Sequence, residues 1–314
     1  MSKLLVVFGA TGQQGGSIID FVLNDSNLSK EYSIRAITRD VSRPAAQSLQ
    51  KRGVEVVAGD VDQPSSLPVA LSNAHTIFLA TTSTYDDHLK SREFAQGKAV
   101  ADTAIAVGAQ YLIFSTCVAT ERLWGRIVPG FDSKAEVEEY IRSLPIQSAF
   151  FAPAMFMQNF LTSQGPRRIP SPEGEEPIYA IANFVAPDAR LPMIETVADS
   201  GKYVGAILAN PGKYAGALFC AATGFWSFKQ AAEIITRVTG KKTIYVQMPE
   251  EQWASYLPPG SSGPLIAMMR WIEKPGYFGP QSTEKVEWTV QQMPSKLTTL
   301  EEFVEKHAEE LFRQ

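Results

Sequence analysis

The chain has 314 residues, 45% hydrophobic and 20% charged, with 29 Lys+Arg against 33 Asp+Glu and a net charge of −4. That length suits one large α/β domain with an appended lobe, or two domains, and the composition excludes a disordered or fibrous chain. The slightly acidic balance argues against a constitutive nucleic-acid binder, and no apolar run approaches the roughly 20 residues that span a bilayer.

The segment Leu4–Phe8 runs straight into a glycine loop, so it reads as a first strand and not as a signal peptide. Five more runs rich in Val, Ile, Leu and Phe follow: Tyr32–Thr38, Val54–Ala58, Thr76–Ala80, Tyr111–Ser115 and Ser148–Ala152. Such runs suit strands buried on both faces of a parallel sheet. Between them Gln14–Leu23, Ala45–Lys51, Arg92–Val107 and Ser133–Arg142 carry helical patterns. This βαβα alternation predicts an α/β fold with a right-handed, doubly wound parallel sheet over residues 1–153.

After Pro153 the pattern changes, and residues 154–314 read mainly as a smaller α+β lobe with returns to the first domain at about 186–240. Gln164–Pro177 holds four prolines and reads as a loop. Ile178–Val185 suits a strand, Glu195–Leu208 a helix, Phe219–Ala222 a strand, Phe228–Thr239 a helix and Thr243–Gln247 a strand. Pro249–Tyr256 starts a helix, with Glu250 and Glu251 in its first turn. Pro258–Pro264 reads as a hinge or lid, because neither helix nor strand is expected to survive it. Thr298–Leu311 closes the chain as an amphipathic helix capped by Thr298 or Thr299.

The first chemical signal is Gly9-Ala10-Thr11-Gly12-Gln13-Gln14-Gly15, which leaves the first strand and opens the first helix. Small residues let the backbone approach a pyrophosphate, whose charge the N–H groups at the helix N-terminus stabilise. In that context the sheet is a Rossmann sheet, and the loop a dinucleotide site. The second strand ends in Thr38-Arg39-Asp40. A guanidinium grips a 2′-phosphate through paired hydrogen bonds, so Arg39 points to NADP(H) rather than NAD(H). Asp60, closing the third strand, is placed either to accept from the adenine amine or to cap its own turn.

With these segments in view, the chain resembles the NmrA-like family of atypical short-chain dehydrogenase/reductases, most strongly its HSCARG-like redox-sensor subgroup. The likeness runs through Val6–Gly16, Thr38-Arg39, Gly53–Val57, Phe131–Tyr140, Pro211–Gly216 and Leu300–His307. It implies an NADP(H)-binding domain whose Gly9, Ala10, Thr11, Gly12, Gln13 and Gln14 hold the pyrophosphate. It further implies Thr81, Thr82 and Ser83 beside the nicotinamide half, Lys134 on the nicotinamide ribose, and Phe156, Met157, Gln158 and Asn159 flanking the nicotinamide. The chain departs from the family pattern at Gly130 and Ala95.

Short-chain dehydrogenases place a Tyr four residues before a Lys, whose charge lowers the phenol pKa for proton exchange with the substrate. Four residues before Lys134 stands Gly130, which donates no proton. No catalytic residue is therefore assigned, and Lys134, Ser115 and Tyr85 remain candidates. Ser115 ends the fifth strand, and Tyr85 either reaches the nicotinamide from another direction or packs on the lobe. The histidines His75, His88 and His307 are scattered, and the two cysteines, Cys117 and Cys220, lack CxxC spacing, so no metal site is expected.

Three functions compete. The leading one is a redox-sensing regulator that binds NADP(H) and works through a protein partner on the C-terminal lobe. The alternative is an NADPH-dependent oxidoreductase acting on a small carbonyl, quinone or imine substrate. The third is a structural partner protein that binds cofactor only weakly. Each is expected to be cytoplasmic, or cytoplasmic and nuclear, with no direct nucleic-acid or membrane partner.

Overall fold

The computed structural model describes residues 2–258, 261–274 and 276–313. Seven strands form one parallel sheet: β1 (Lys3–Val7), β2 (Tyr32–Thr38), β3 (Glu55–Ala58), β4 (Thr76–Leu79), β5 (Tyr111–Ser115), β6 (Gln147–Pro153) and β7 (Leu218–Ala221). Their order is β7-β6-β5-β4-β1-β2-β3. The order reverses between β1 and β4, and the crevice beyond the carboxyl ends of these strands is where open α/β sheets take ligands.

Side chains alternate across each strand, so the apolar runs feed two cores at once. Leu5 and Val7 enter one core and Val6 and Phe8 the other, while Phe78 opposes Ile77 and Leu79 in the same manner. The helices Gln13–Asn24 and Thr196–Ala209 pack together on the first face, with Ile18, Val22, Val204 and Ile207 in that core. The helices Leu89–Ala106 and Pro129–Arg142 cover the second face with Val100, Ala104, Val137 and Ile141. The seventh strand comes from beyond residue 153, after the chain has left the sheet and returned.

The remaining strands make two small sheets. Met155–Phe156, Leu191–Ile194 and Gly224–Trp226 form one, and Arg167–Ile169, Ile178–Asn183 and Thr243–Gln247 the other. The Phe228–Thr239 helix runs over the range its pattern predicts. Ser227 and Gln230 close a capping box at its start, and Gly240 turns into the left-handed region at its end.

Three expectations are corrected. Within Pro258–Pro264, Pro259 and Gly260 lie outside the described residues, yet a helix, Ser262–Glu273, begins inside this segment. Pro264 falls in its first turn, where a backbone N–H has no intrahelical acceptor to lose. The closing helix is Leu300–Lys306, shorter than predicted, with Thr299 as its cap and a separate 3-10 turn at Glu310–Phe312. The break lets Leu311 enter the core and Phe312 meet the Tyr179 ring at 4.6 Å. Gln164–Pro177 is not wholly loop, because Arg167–Ile169 pairs antiparallel with Ile178–Asn183.

Candidate functional site

The glycine loop follows β1 directly. Gly9 has φ +65°, a left-handed conformation that L side chains rarely adopt. A Cβ on Gly15 would stand 2.4 Å from the Gly9 carbonyl oxygen, so the loop folds onto the helix only because position 15 is bare. Gly12 is the N-cap of the Gln13–Asn24 helix, and no side chain caps its first turn. The amide groups there are left for an anion. Gln14 Oε1 is buried with no hydrogen-bond partner among the described residues, and Gln14 lines the cavity described below. Bare loop, open helix terminus and unpartnered amide together fit a dinucleotide.

Arg39 stands exposed beyond β2, with no ion pair or hydrogen bond among the described residues. Asp40 is engaged instead: it accepts from the Ser42 amide at 2.9 Å and the Ser42 hydroxyl at 2.6 Å, and lies 3.6 Å from Arg43. The Ser42 hydrogen bonds hold its carboxyl below the usual range. Asp60 Oδ1 accepts from the Asp62 amide at 3.0 Å, which is the turn-capping alternative of its two readings.

The second half of the site lies at the ends of β4 and β5. Lys134, on the Pro129–Arg142 helix, forms an ion pair with Glu93 of the Leu89–Ala106 helix. The Lys134 Nζ also donates to Thr81 Oγ1 at 3.2 Å and to Ser83 Oγ at 3.0 Å. Glu93 Oε1 accepts in turn from Thr81 at 3.1 Å and Ser83 at 3.0 Å, and Oε2 accepts from Ser133 Oγ. The Glu93 side chain is 1% exposed and that of Lys134 14%, so each charge is stabilised chiefly by this network.

Above the network opens a cavity of about 280 Å³. Its walls are Tyr85, Phe131, Phe156, Met268 and Tyr277, with Ser115, Thr116 and Cys117 at the end of β5. Burial pushes the Cys117 thiol up to about 12, so it is a neutral thiol near pH 7. Burial also raises the Tyr85 phenol, reinforced by nearby Cys117 and Glu93, and holds Tyr277 well above the ordinary value. An adjoining cavity of about 170 Å³ shares Phe156, Met268 and Tyr277 and adds Asn159 and Gln164.

The structure thus gathers Gln14, Thr81, Ser83, Ser115, Lys134, Tyr85 and Phe156 around one space. Thr82 is exposed and does not line it. Met157 is fully buried in the core, and Gln158 accepts from the Thr196 amide at 3.1 Å, so neither faces the cavity. The cause is the 3-10 turn Met157–Leu161, which swings successive side chains around its axis. Glu93, Ser133 and Tyr277 escaped the sequence reading. Glu93 had one signal: it lies on the same helical face as Leu89, Gln96 and Val100, a face that is otherwise buried.

A model of the NmrA-like family matches residues 1–304. The chain belongs to the NmrA-like family. The NmrA-like family domain-containing oxidoreductase ptmS of Penicillium ochrochloron is 29% identical over 300 residues, covering 90% of this chain and 88% of that protein. Among solved structures, the negative transcriptional regulator NmrA in complex with NADP superposes with a TM-score of 0.78 at 22% identity, over 97% of this chain and 95% of that one. The triphenylmethane reductase of a Citrobacter species gives a TM-score of 0.77 at 22% identity, over 98% and 99%. At that identity the two structures establish a shared fold. Among the described residues no helix of this NmrA-like chain is long and apolar enough to cross a membrane, and no cluster of metal-ligating side chains occurs.

Proposed function

We propose that this NmrA-like protein is an NADP(H)-dependent oxidoreductase that reduces a small aromatic carbonyl, quinone or imine. The observation that carries the reading is the Lys134–Glu93 network lying under an aromatic-walled cavity at the carboxyl ends of β4 and β5. A protein that only bound dinucleotide would need the glycine loop and Arg39, but not an apolar chamber beside them. Relatives that cover 90% of the chain, ptmS of Penicillium ochrochloron among them, are named oxidoreductases, which supports the same reading.

In this account the Gly9–Gln14 loop holds the pyrophosphate and the unpaired Arg39 guanidinium takes the 2′-phosphate. Lys134, fixed by Glu93, Thr81 and Ser83, serves the nicotinamide ribose, and Phe156 flanks the ring. A bound reduced nicotinamide supplies hydride. The chain supplies shape and charge. Among the described residues Lys134 is the only charged one lining the cavity, and Glu93 already balances it, so among them an anionic substrate would find no free cation. The chamber suits uncharged or cationic aromatic molecules.

A second reading rests on Gly130, which leaves Lys134 without a Tyr four residues earlier. On that reading the chain is a redox-sensing regulator of the HSCARG-like kind, which binds a protein partner through its C-terminal lobe and turns nothing over. The two separate on one assay: NADPH oxidation with a panel of quinones, aromatic ketones and cyclic imines. Stoichiometric turnover supports the enzyme. Its absence, with clearly different affinities for NADP and NADPH, supports the sensor, because a ligand of equal affinity for two states shifts neither.

A further inference from the structure

Gly130 is the second residue of the Pro129–Arg142 helix, one turn before Lys134 and on the same face. A Cβ built at Gly130 would meet Tyr85 Oη at 3.4 Å and the Tyr85 ring carbons at 3.6 and 3.8 Å. The phenol therefore lies over the bare helix position, although it arrives from the loop after β4 rather than from the helix. Tyr85 lines the cavity, and its hydroxyl makes no hydrogen bond among the described residues. Thr81 and Ser83, in the same loop, are tied to Lys134.

Resting on the oxidoreductase reading, we propose that Tyr85 is the proton donor to the substrate carbonyl oxygen or imine nitrogen, and that Gly130 is bare so that this phenol can stand there. In the step, the substrate carbon gains hydride from a reduced nicotinamide dinucleotide. The Tyr85 O–H bond breaks as a new O–H or N–H bond forms on the substrate, leaving a phenolate. Solvent water returns the proton.

The competing hydroxyls are less suited. Ser115 is 4% exposed, and an alcohol is a far weaker acid than a phenol. Tyr277 is 9% exposed and packed between Phe131 and Phe278 at ring distances of 5.1 and 5.0 Å, away from bulk water. Cys117 is a neutral thiol and a weak hydrogen-bond donor. Tyr85 is 38% exposed, more than Ser115, Cys117 or Tyr277, and lines the cavity.

The test compares wild type, Tyr85→Phe, Gly130→Leu and the double variant Tyr85→Ala/Gly130→Tyr. Binding of 1,4-naphthoquinone and acetophenone to cofactor-free protein is followed by fluorescence quenching, NADPH affinity by calorimetry and turnover by NADPH absorbance. Tyr85→Phe is expected to weaken naphthoquinone and acetophenone binding about 5- to 10-fold, the factor for one lost neutral hydrogen bond, with NADPH affinity unchanged. Its kcat should fall by about 10²–10⁴, the usual contribution of general acid catalysis. Gly130→Leu should displace the phenol and reproduce both losses, while the double variant recovers turnover by restoring a phenol four residues before Lys134. Probe binding and kcat that are indifferent to Tyr85→Phe overturn the proposal, as does a wild type that binds neither probe. Failure of the oxidoreductase reading looks different: there the probes bind in a Tyr85-dependent way, but no variant, wild type included, oxidises NADPH.

Discussion

Lys134 and Glu93 meet beneath the cavity floor as a buried ion pair, held from both sides by Thr81, Ser83 and Ser133. Two helices that cover the same sheet face are thereby joined at their functional ends, so the charge that would serve a cofactor also ties the fold together.

Breaking this pair from one side should be costly. Lys134→Met leaves Glu93 buried and uncompensated, a situation typically worth about 3–5 kcal/mol. Urea denaturation should register that loss, and adding Glu93→Gln to Lys134→Met should recover most of it. A single variant as stable as wild type would show that the pair is solvated.

Arg39 should read the 2′-phosphate. Arg39→Ala is expected to weaken NADP binding by about 1.5–3 kcal/mol, the range for hydrogen bonds to charged groups, and to leave NAD binding nearly unchanged. Calorimetry with both dinucleotides distinguishes this from a general loop defect, which would weaken the two equally.

The loop glycines should separate by geometry. At Gly12 a Cβ would come to 3.2 Å of the Gly9 carbonyl oxygen, and Gly12→Val adds bulk where the pyrophosphate approaches. That variant should fold and lose dinucleotide binding. At Gly15 the Cβ would overlap Gly9 backbone, so Gly15→Ala should lower stability by about 1–3 kcal/mol as well as abolish binding. Thermal melts paired with NADP titrations would expose a reversed order.

Much of this was legible in the chain. Strands at the centre of the first half announce themselves because both faces of a parallel strand are buried, so Ile77–Leu79 and Leu112–Phe114 read as unbroken apolar runs. The turn at Gly9–Gly15 was legible because small residues stand where a strand passes directly into a helix. Leu191–Ile194 and Gly224–Trp226 were not, since strands of three or four residues draw their order from their neighbours rather than from pattern. Glu93 hid as one carboxylate within a helix of mixed polarity, and Tyr85 could be tied to Gly130 only once the loop after β4 was folded over the helix.

The C-terminal cap should titrate in acid. Hydrogen bonds from Lys296 and Thr299 bring the Glu302 carboxyl down to about 2 from an ordinary 4.5. A depressed carboxyl stabilises the fold above its unfolded value, and that contribution is lost as pH falls toward the folded one. Amide protection in the Leu300–Lys306 helix, measured relative to the intrinsic exchange rate at each pH, should therefore fall between about pH 4.5 and pH 2. Lys296→Met should shrink this acid response, and an unchanged profile would remove the ion pair from the account.

Hydride transfer to a substrate in the cavity can be followed with NADPH carrying deuterium at the transferable C4 position. Incubation with acetophenone-type ketones and 3,4-dihydroisoquinoline-type imines, followed by mass spectrometry, should find a product with one deuterium on the reduced carbon, formed one-for-one with NADP. A chain that binds NADPH tightly yet yields no labelled product with either class, and oxidises no NADPH with quinones, would contradict hydride transfer in this cavity.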